Sequence, residues 1–216
     1  MANIALFSHD PHCSDDCVEG MLNALLPDHN ITVFNQHELS ENFLEHFDVI
    51  AFPGGTGDAC KFNEIFHWRQ CLYIENFLRK GGKYLGICMG AYWAGRWYFD
   101  FLRDLEPVQY IKQPGAVVKR SYGTTVPVKW KDKDEIMFFY DGCTFKGDTK
   151  FSKVIATYPN GEPTAIIQGR LGLIGPHPES AQKWYKQFKS MGQYWHEGEH
   201  HILLRKFVNE LIYESF

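Results

Sequence analysis

The sequence predicts an α/β fold: a doubly wound parallel sheet with antiparallel hairpins inserted beside it. Three observations carry this. Short apolar runs of strand length alternate with segments of helical periodicity from the N-terminus to about Trp93. Gly and Pro punctuate the ends of those runs. From Val108 to Gln168 the texture changes to short β-rich pieces separated by Gly, Pro and Asp turns.

The elements follow in order. Asn3 to Ser8 is an apolar run of strand length, and Val18 to Leu26 carries apolar residues at helical spacing. Ile31 to Phe34 is β-branched and aromatic, hence a strand; Val49 to Phe52 is another, ending in Pro53-Gly54-Gly55. Ile65 to Arg79 fits an amphipathic helix stopped by Gly81-Gly82, and Lys83 to Ile87 is the next strand. Gly115 to Val118, Thr124 to Val128, Ile136 to Tyr140 and Val154 to Tyr158 read as the antiparallel pieces, with Lys129 to Asp134 a solvated turn of alternating charge. Ala165 to Gln168 and Leu171 to Ile174 form a last hairpin, followed by helices over Ala181 to Met191 and His201 to Tyr213. In such sheets ligands sit beyond the carboxyl ends of the strands. The loop after Phe52 and the turn after Ile87 both lie there.

Composition narrows the function classes. At 216 residues, 44% hydrophobic and 16% aromatic, the chain can bury a sizeable core, and residues 1–216 are read as one domain. A net charge of −4 with no basic stripe argues against a nucleic-acid partner. No apolar run approaches the ~20 residues that span a bilayer. Met1 to Ser8 lacks the basic region and cleavage site of a signal peptide, so the six cysteines are expected as free thiols in a reducing, cytoplasmic setting.

The most informative stretch is Gly86-Ile87-Cys88-Met89-Gly90. It places a cysteine between a strand and a helix, flanked by glycines that permit a very tight turn, the arrangement of a nucleophile elbow. A thiol at a helix N-terminus is favoured as thiolate. Gly175-Pro176-His177-Pro178-Glu179 supplies what that thiol needs: His177 as base, Glu179 to orient it, and two prolines to stiffen the segment. The backbone N–H groups of Met89 and Gly55 are the expected oxyanion donors, and Gly54, Tyr92 and Tyr140 the expected lining of the substrate pocket. Together these describe acyl transfer through a thioester, with no metal or organic cofactor required.

These residues resemble the class I glutamine amidotransferase superfamily, and within it the N-terminal domain of eukaryotic-type biotin–protein ligases. The matching stretches are Phe52-Pro53-Gly54-Gly55, the run from Gly81 to Tyr92 around Cys88, Phe139-Tyr140-Asp141-Gly142 and Gly175-Pro176-His177-Pro178-Glu179. Ser14-x-x-Cys17-Val18 matches more weakly. The resemblance implies a flavodoxin-like fold and a catalytic triad of Cys88, His177 and Glu179. Two departures qualify it. Glutamine-hydrolysing members usually carry Gln four residues after the nucleophile, where this chain has Tyr92, so the substrate is left as a small-molecule amide. The ligase catalytic domain with its Gly-Arg-Gly-Arg segment is absent from this sequence, so biotin ligation is not expected. Any ammonia would pass to a separate synthetase or ligase partner, or the enzyme would act as a plain hydrolase.

Other readings compete. A non-catalytic ligand-binding or regulatory module would use the same architecture with Cys88 as a sensor. His196-Glu197-Gly198-Glu199-His200 matches the H-E-x-x-H pattern of zinc hydrolases, which works only on a helix. Gly198 weakens a helix by roughly 1 kcal/mol. Glu210 or Glu214 would have to be the third ligand, and the motif reads as a chance spacing or a solvated helix start. His9, His12, Cys13 and Cys17 lack paired zinc-site spacing and read as a loop over the active-site edge. Cys60 and Cys71 read as packing thiols, with Cys60 near enough to the Pro-Gly-Gly loop to line the pocket. Trp93, Trp97, Tyr98, Phe99 and Phe101 read mostly as core, an exposed subset offering a homodimer face.

Overall fold

A computed structural model describes residues 1–9, 13–55, 61–187 and 189–213. Its first half follows the alternation expected: β1 (Asn3–Phe7), α1 (Asp15–Leu25), β2 (Asn30–Phe34), α2 (Glu41–Leu44), β3 (Val49–Phe52), α3 (Phe62–Ile65), α4 (Trp68–Arg79), β4 (Lys83–Ile87) and α5 (Met89–Trp93). The second half contains β5 (Leu105–Gln109), β6 (Thr124–Trp130), β7 (Lys133–Phe139), β8 (Cys143–Gly147), β9 (Lys153–Thr157), β10 (Pro163–Gln168), β11 (Leu171–Ile174), α6 (Gln182–Tyr185) and α7 (Glu199–Tyr213).

Among the described residues, nine strands share one sheet in the order β2-β1-β3-β4-β11-β10-β9-β6-β7. The first five run parallel, and the antiparallel strands continue that same sheet outward from the β10–β11 hairpin. The strand period of two sorts side chains between two cores. Ile4 and Leu6, Val49 and Ala51, and Leu85 and Ile87 face one layer, with α1 and α7 packed there through Met21, Leu25, Leu204 and Phe207. Ala5 and Phe7, Ile50 and Phe52, and Tyr84 face the other, against Ile74 and Phe77 of α4 and Trp93 of α5. Strands buried on both faces explain the continuous apolar runs in the sequence.

Several expectations are corrected. The helix read over Ile65 to Arg79 is two helices, because His67 adopts an extended conformation and its N–H donates to Gln70 Oε1 at 2.9 Å, starting α4 afresh. Gly115 to Val118 forms no strand: Gly115 turns at φ 72°, and Ala116 and Val118 reach the core from a loop. A buried loop and a buried strand leave the same short apolar signature. β5 and β8, unread in the sequence, pair with each other in a separate two-stranded sheet whose β5 tolerates Pro107 as an edge strand does. The charged turn shrinks to Lys131 and Asp132, since Lys129 pairs with Asp134 and Trp130 with Lys133. The helix read over Ala181 to Met191 reduces to α6. Trp184, Tyr185 and Met191 instead gather round Phe138 and Cys17, a tertiary cluster that helical periodicity does not encode.

Of the aromatic run after the elbow, Trp93 and Phe99 are buried, Tyr98 and Phe101 pack against them, and Trp97 is exposed. Among the described residues no helix is long and apolar enough to cross a membrane.

Candidate active site

β3 and β4 end side by side, and the elbow grows from that register: Phe52 pairs with Gly86. Cys88 stands at the apex with φ 51° and ψ −107°, outside the regions a side-chain-bearing residue ordinarily occupies. The glycines either side are explained by close approach. A Cβ on Gly86 would overlap the Gly90 backbone, and one on Gly90 would overlap the Phe52 carbonyl. Three hydrogen bonds hold the turn: Cys88 N–H to the Ile174 carbonyl at 2.9 Å, Gly90 N–H to the Pro53 carbonyl at 3.2 Å, and the Tyr84 hydroxyl to the Gly90 carbonyl at 2.7 Å. The Cys88 side chain is buried, and its Sγ lies 3.5 Å from the Tyr140 carbonyl oxygen.

β11 runs beside β4 and delivers the second half of the site. Gly175 passes the strand end where a Cβ would overlap the Cys143 carbonyl. His177 is then fixed by its backbone N–H, which donates to the Phe138 carbonyl at 2.9 Å. Its Nδ1 meets Glu179 Oε1 at 2.8 Å, with both side chains buried. Burial alone pushes the imidazole pKa down; the charges of Glu179 and Cys88 outweigh it and hold His177 well above its ordinary value. Its Nε2 is buried and, among the described residues, makes no well-formed hydrogen bond, although the Cys17 and Cys88 thiols both interact with the ring. Such a nitrogen is available to a thiol or a substrate.

A cleft of about 200 Å³ opens over these groups, its walls including Cys17, Gly55, Cys88, Tyr140, His177 and Trp184. Cys88, His177, Gly55 and Tyr140 all line this one cleft. Met89 is the first residue of α5, where helix N–H groups lack intrahelical partners. Gly54 packs against two groups of the site: a Cβ there would stand 2.8 Å from both Cys17 Sγ and His177 Cε1. Tyr92 is turned toward the neighbouring loop, its hydroxyl donating to the Asp141 carbonyl at 3.0 Å. His12, Cys60 and Glu214 lie outside the described residues.

Cys17 is the residue sequence reasoning undervalued. α1 carries it to the cleft, where it interacts with His177 and feels the charges of Glu179 and Cys88. Burial raises its pKa above the ordinary thiol value, whereas that of Cys13, paired with Gly55 in an isolated bridge, is pushed up by burial to about 12. The Ser14-x-x-Cys17-Val18 match was the available signal. Trp184, on α6, and Gln187, just past its end, also line the cleft; neither residue type in that stretch carries a catalytic motif, so the sequence left no signal for them.

Among the described residues, two sets of side chains bring metal-type donor atoms within 4.8 Å of one another: Cys17, His177 and Glu179, and Glu135, His196 and His200. The first is already organised by the 2.8 Å His177–Glu179 hydrogen bond. The H-E-x-x-H spacing, read from the sequence as chance or a solvated helix start, forms no helical zinc motif. His196 and Glu197 have φ near 50°, so the motif does not lie on one continuous helix, and Glu210 is engaged by Lys131 and Lys153.

This architecture is the glutamine amidotransferase-like, flavodoxin-type fold. Similar solved structures include a glutamine amidotransferase (13% identity, TM-score 0.67, covering 97% of this chain and 98% of that one). A second, from Thermotoga maritima, is 14% identical, with TM-score 0.66 and 98% of each chain covered. A putative GMP synthase protein from Thermoplasma acidophilum is 14% identical, with TM-score 0.61 and 98% and 94% covered. At these identities the likeness is one of fold. More particularly, residues 8–109 match the family described as biotin-protein ligase, N terminal. An uncharacterized protein of Chlamydia muridarum (strain MoPn / Nigg) is 31% identical over 167 residues, 62% of this chain; the match spans 61% of that relative's length.

Proposed function

We propose that the chain is a cysteine-dependent amide hydrolase of the class I glutamine amidotransferase type. The observation that carries the reading is Cys88 at a positive-φ apex, in one cleft with a His177 whose Nδ1 is 2.8 Å from buried Glu179. The Cys88 thiol passes its proton to His177 and its Sγ attacks the carboxamide carbon, so that the oxygen takes negative charge facing the N–H groups of Met89 and Gly55. His177 gives a proton to the departing nitrogen, the C–N bond breaks, and ammonia leaves a thioester on Cys88. Water, losing a proton to His177, then attacks the thioester carbon; the C–S bond breaks, the free acid departs, and the proton returns to the thiol. Glu179 holds the imidazole in register and offsets its charge.

A small-molecule amide is proposed as the substrate that enters this cleft. Tyr140 is proposed as pocket wall, Gly54 as the residue that lets the His177 ring approach, and Tyr92 as a support for the Asp141 side of the cleft. A separate synthetase or ligase is proposed as ammonia acceptor, by likeness to the GMP synthase protein. The free cysteines favour a reducing, cytoplasmic setting. The test is ammonia release from a panel of carboxamides, with Cys88→Ala as control and an electrophilic glutamine analogue as covalent probe. Adduct formation at Cys88, and ammonia release lost in the variant, support the reading. Turnover unchanged in Cys88→Ala overturns it.

A further inference from the structure

The cluster of His196, His200 and Glu135 has a geometry that pairing among its own members does not account for. Glu135 Oε2, from β7, lies 3.6 Å from His196 Nδ1 and 3.5 Å from His200 Nε2. Both separations exceed the 2.7–3.2 Å of a good N–H···O hydrogen bond. Two donors bound tetrahedrally to one zinc ion at about 2.0–2.1 Å stand roughly 3.3–3.4 Å apart. The observed separations match a shared ion better than they match direct contact.

The surroundings agree. His200 is fully buried, and among the described residues its Nε2 has no hydrogen-bond partner. Its other nitrogen, Nδ1, lies 3.2 Å from the Tyr185 hydroxyl. That hydroxyl also accepts from the Phe138 N–H at 3.0 Å and contacts Ser180 Oγ at 3.1 Å. A metal-ligating histidine is ordinarily oriented in this way, one nitrogen on a polar partner and the other aimed at the ion. Three successive residues, His196, Glu197 and Gly198, hold positive φ, which folds the chain so that the His196 ring comes within 5.4 Å of His200, centroid to centroid. Non-glycine residues in that region persist where surrounding interactions hold them.

We infer that Glu135, His196 and His200 form a binding site for a divalent transition metal of the zinc class. Two imidazoles and one carboxylate are ligands such ions accept, and a fourth position is left for water or a further ligand. Glu135 and His196 line a cleft with Val128, Tyr158 and Pro159, which shares no lining residue with the cleft over Cys88. The site takes the two histidines of the H-E-x-x-H spacing and draws its carboxylate from β7, while Glu197 lies off any continuous helix. Its role follows from its connections. The ion would tie β7 to the start of α7, and through Tyr185 and Ser180 it would brace the segment that carries Glu179.

The test uses the full chain, stripped with a chelator, reloaded with zinc and passed through gel filtration, with zinc counted by mass spectrometry. One zinc per chain and a raised thermal midpoint are expected. His196 is partly exposed, so His196→Ala should fold and lose retention with at least a roughly tenfold weaker zinc affinity. Glu135→Gln should do the same. Cys17→Ser should keep its zinc, and the cobalt-loaded wild type should show no thiolate-to-cobalt charge-transfer absorption. Folded wild-type protein that retains no zinc overturns the site. Zinc lost in Cys17→Ser but kept in His196→Ala overturns it as well, since the metal would then belong to the cleft over Cys88.

Discussion

His177 Nδ1 lies 2.8 Å from Glu179 Oε1, with the two side chains only 3% and 0% exposed. A histidine so placed binds its proton more tightly folded than unfolded, because the Glu179 and Cys88 charges overcome the burial that would neutralise it. The linkage has a definite sign. The stabilisation is fully present below the ordinary histidine pKa of about 6.5 and is lost as pH rises through the raised folded value. Glu179→Gln removes its source. Urea unfolding of wild type and variant should show a stability gap that is widest below the ordinary histidine value of about 6.5 and narrows as pH rises above it. A gap that widens with pH would contradict the assignment. Ammonia release in the same variant should fall on the order of 10³–10⁴-fold.

The elbow yields a steric prediction. A methyl on Gly90 would overlap the Phe52 carbonyl, which the β3–β4 pairing and the surrounding aromatic rings hold in place. Gly90→Ala should cost about 1–3 kcal/mol and lower the thermal midpoint by several degrees. Gly192, with nothing within 4 Å of a built Cβ and no positive φ, is the control. Gly192→Ala should stay within about 0.5 kcal/mol of wild type. Equal effects of the two substitutions in calorimetry would remove the packing account of the G-x-C-x-G spacing.

How much of this was legible in the sequence depended on the range of the interaction. β1, β3 and β4 were readable because both faces of each strand are buried, which writes an unbroken apolar run. The elbow and His177 were readable because tight turns and proline-stiffened segments leave local residue signatures. β5 and β8 were missed because each is short and interrupted by Pro107 or charged residues, and only their mutual pairing makes them strands. Cys17 and Glu135 were undervalued for a related reason. What gives each its meaning is a partner far along the chain, His177 for one and His200 for the other, and spacing within a segment carries no trace of it.

α7 is tied to the antiparallel half of the sheet by one carboxylate. Glu210, with its side chain 5% exposed, accepts from Lys131 Nζ at 2.6 Å and Lys153 Nζ at 2.5 Å. Burial would raise the Glu210 pKa, but the two ammonium groups outweigh it and the net shift is downward. The pair therefore stabilises the fold above the ordinary glutamate pKa, and that stability is lost as pH falls through the lower folded value. Both lysines are half-exposed and rehydrate when released, so Glu210→Gln should cost only about 1–2 kcal/mol at pH 7. The difference should shrink below about pH 4 in denaturant titrations. A constant difference from pH 7 to pH 3 would show that lost packing, not charge, carries the effect.

Two thiols share one imidazole, and they need separating. Cys88 sits on the strained apex beside the helix start, while Cys17 is carried by α1 and has its pKa raised by burial. A nucleophile must be lifted into the cleft with oxyanion donors beside it, and in the proposed mechanism one of them is the N–H of Met89, the residue that follows Cys88. Cys88→Ser should therefore lower ammonia release by on the order of 10⁴-fold or more and abolish labelling by the electrophilic analogue. Cys17→Ser should keep labelling at Cys88 and change turnover by roughly tenfold or less, acting only through the position of His177. Mass spectrometry of the labelled tryptic peptides identifies the sulfur. Label on the peptide bearing Cys17 in the wild type would move the nucleophile from the elbow to α1 and require the oxyanion donors to be reassigned.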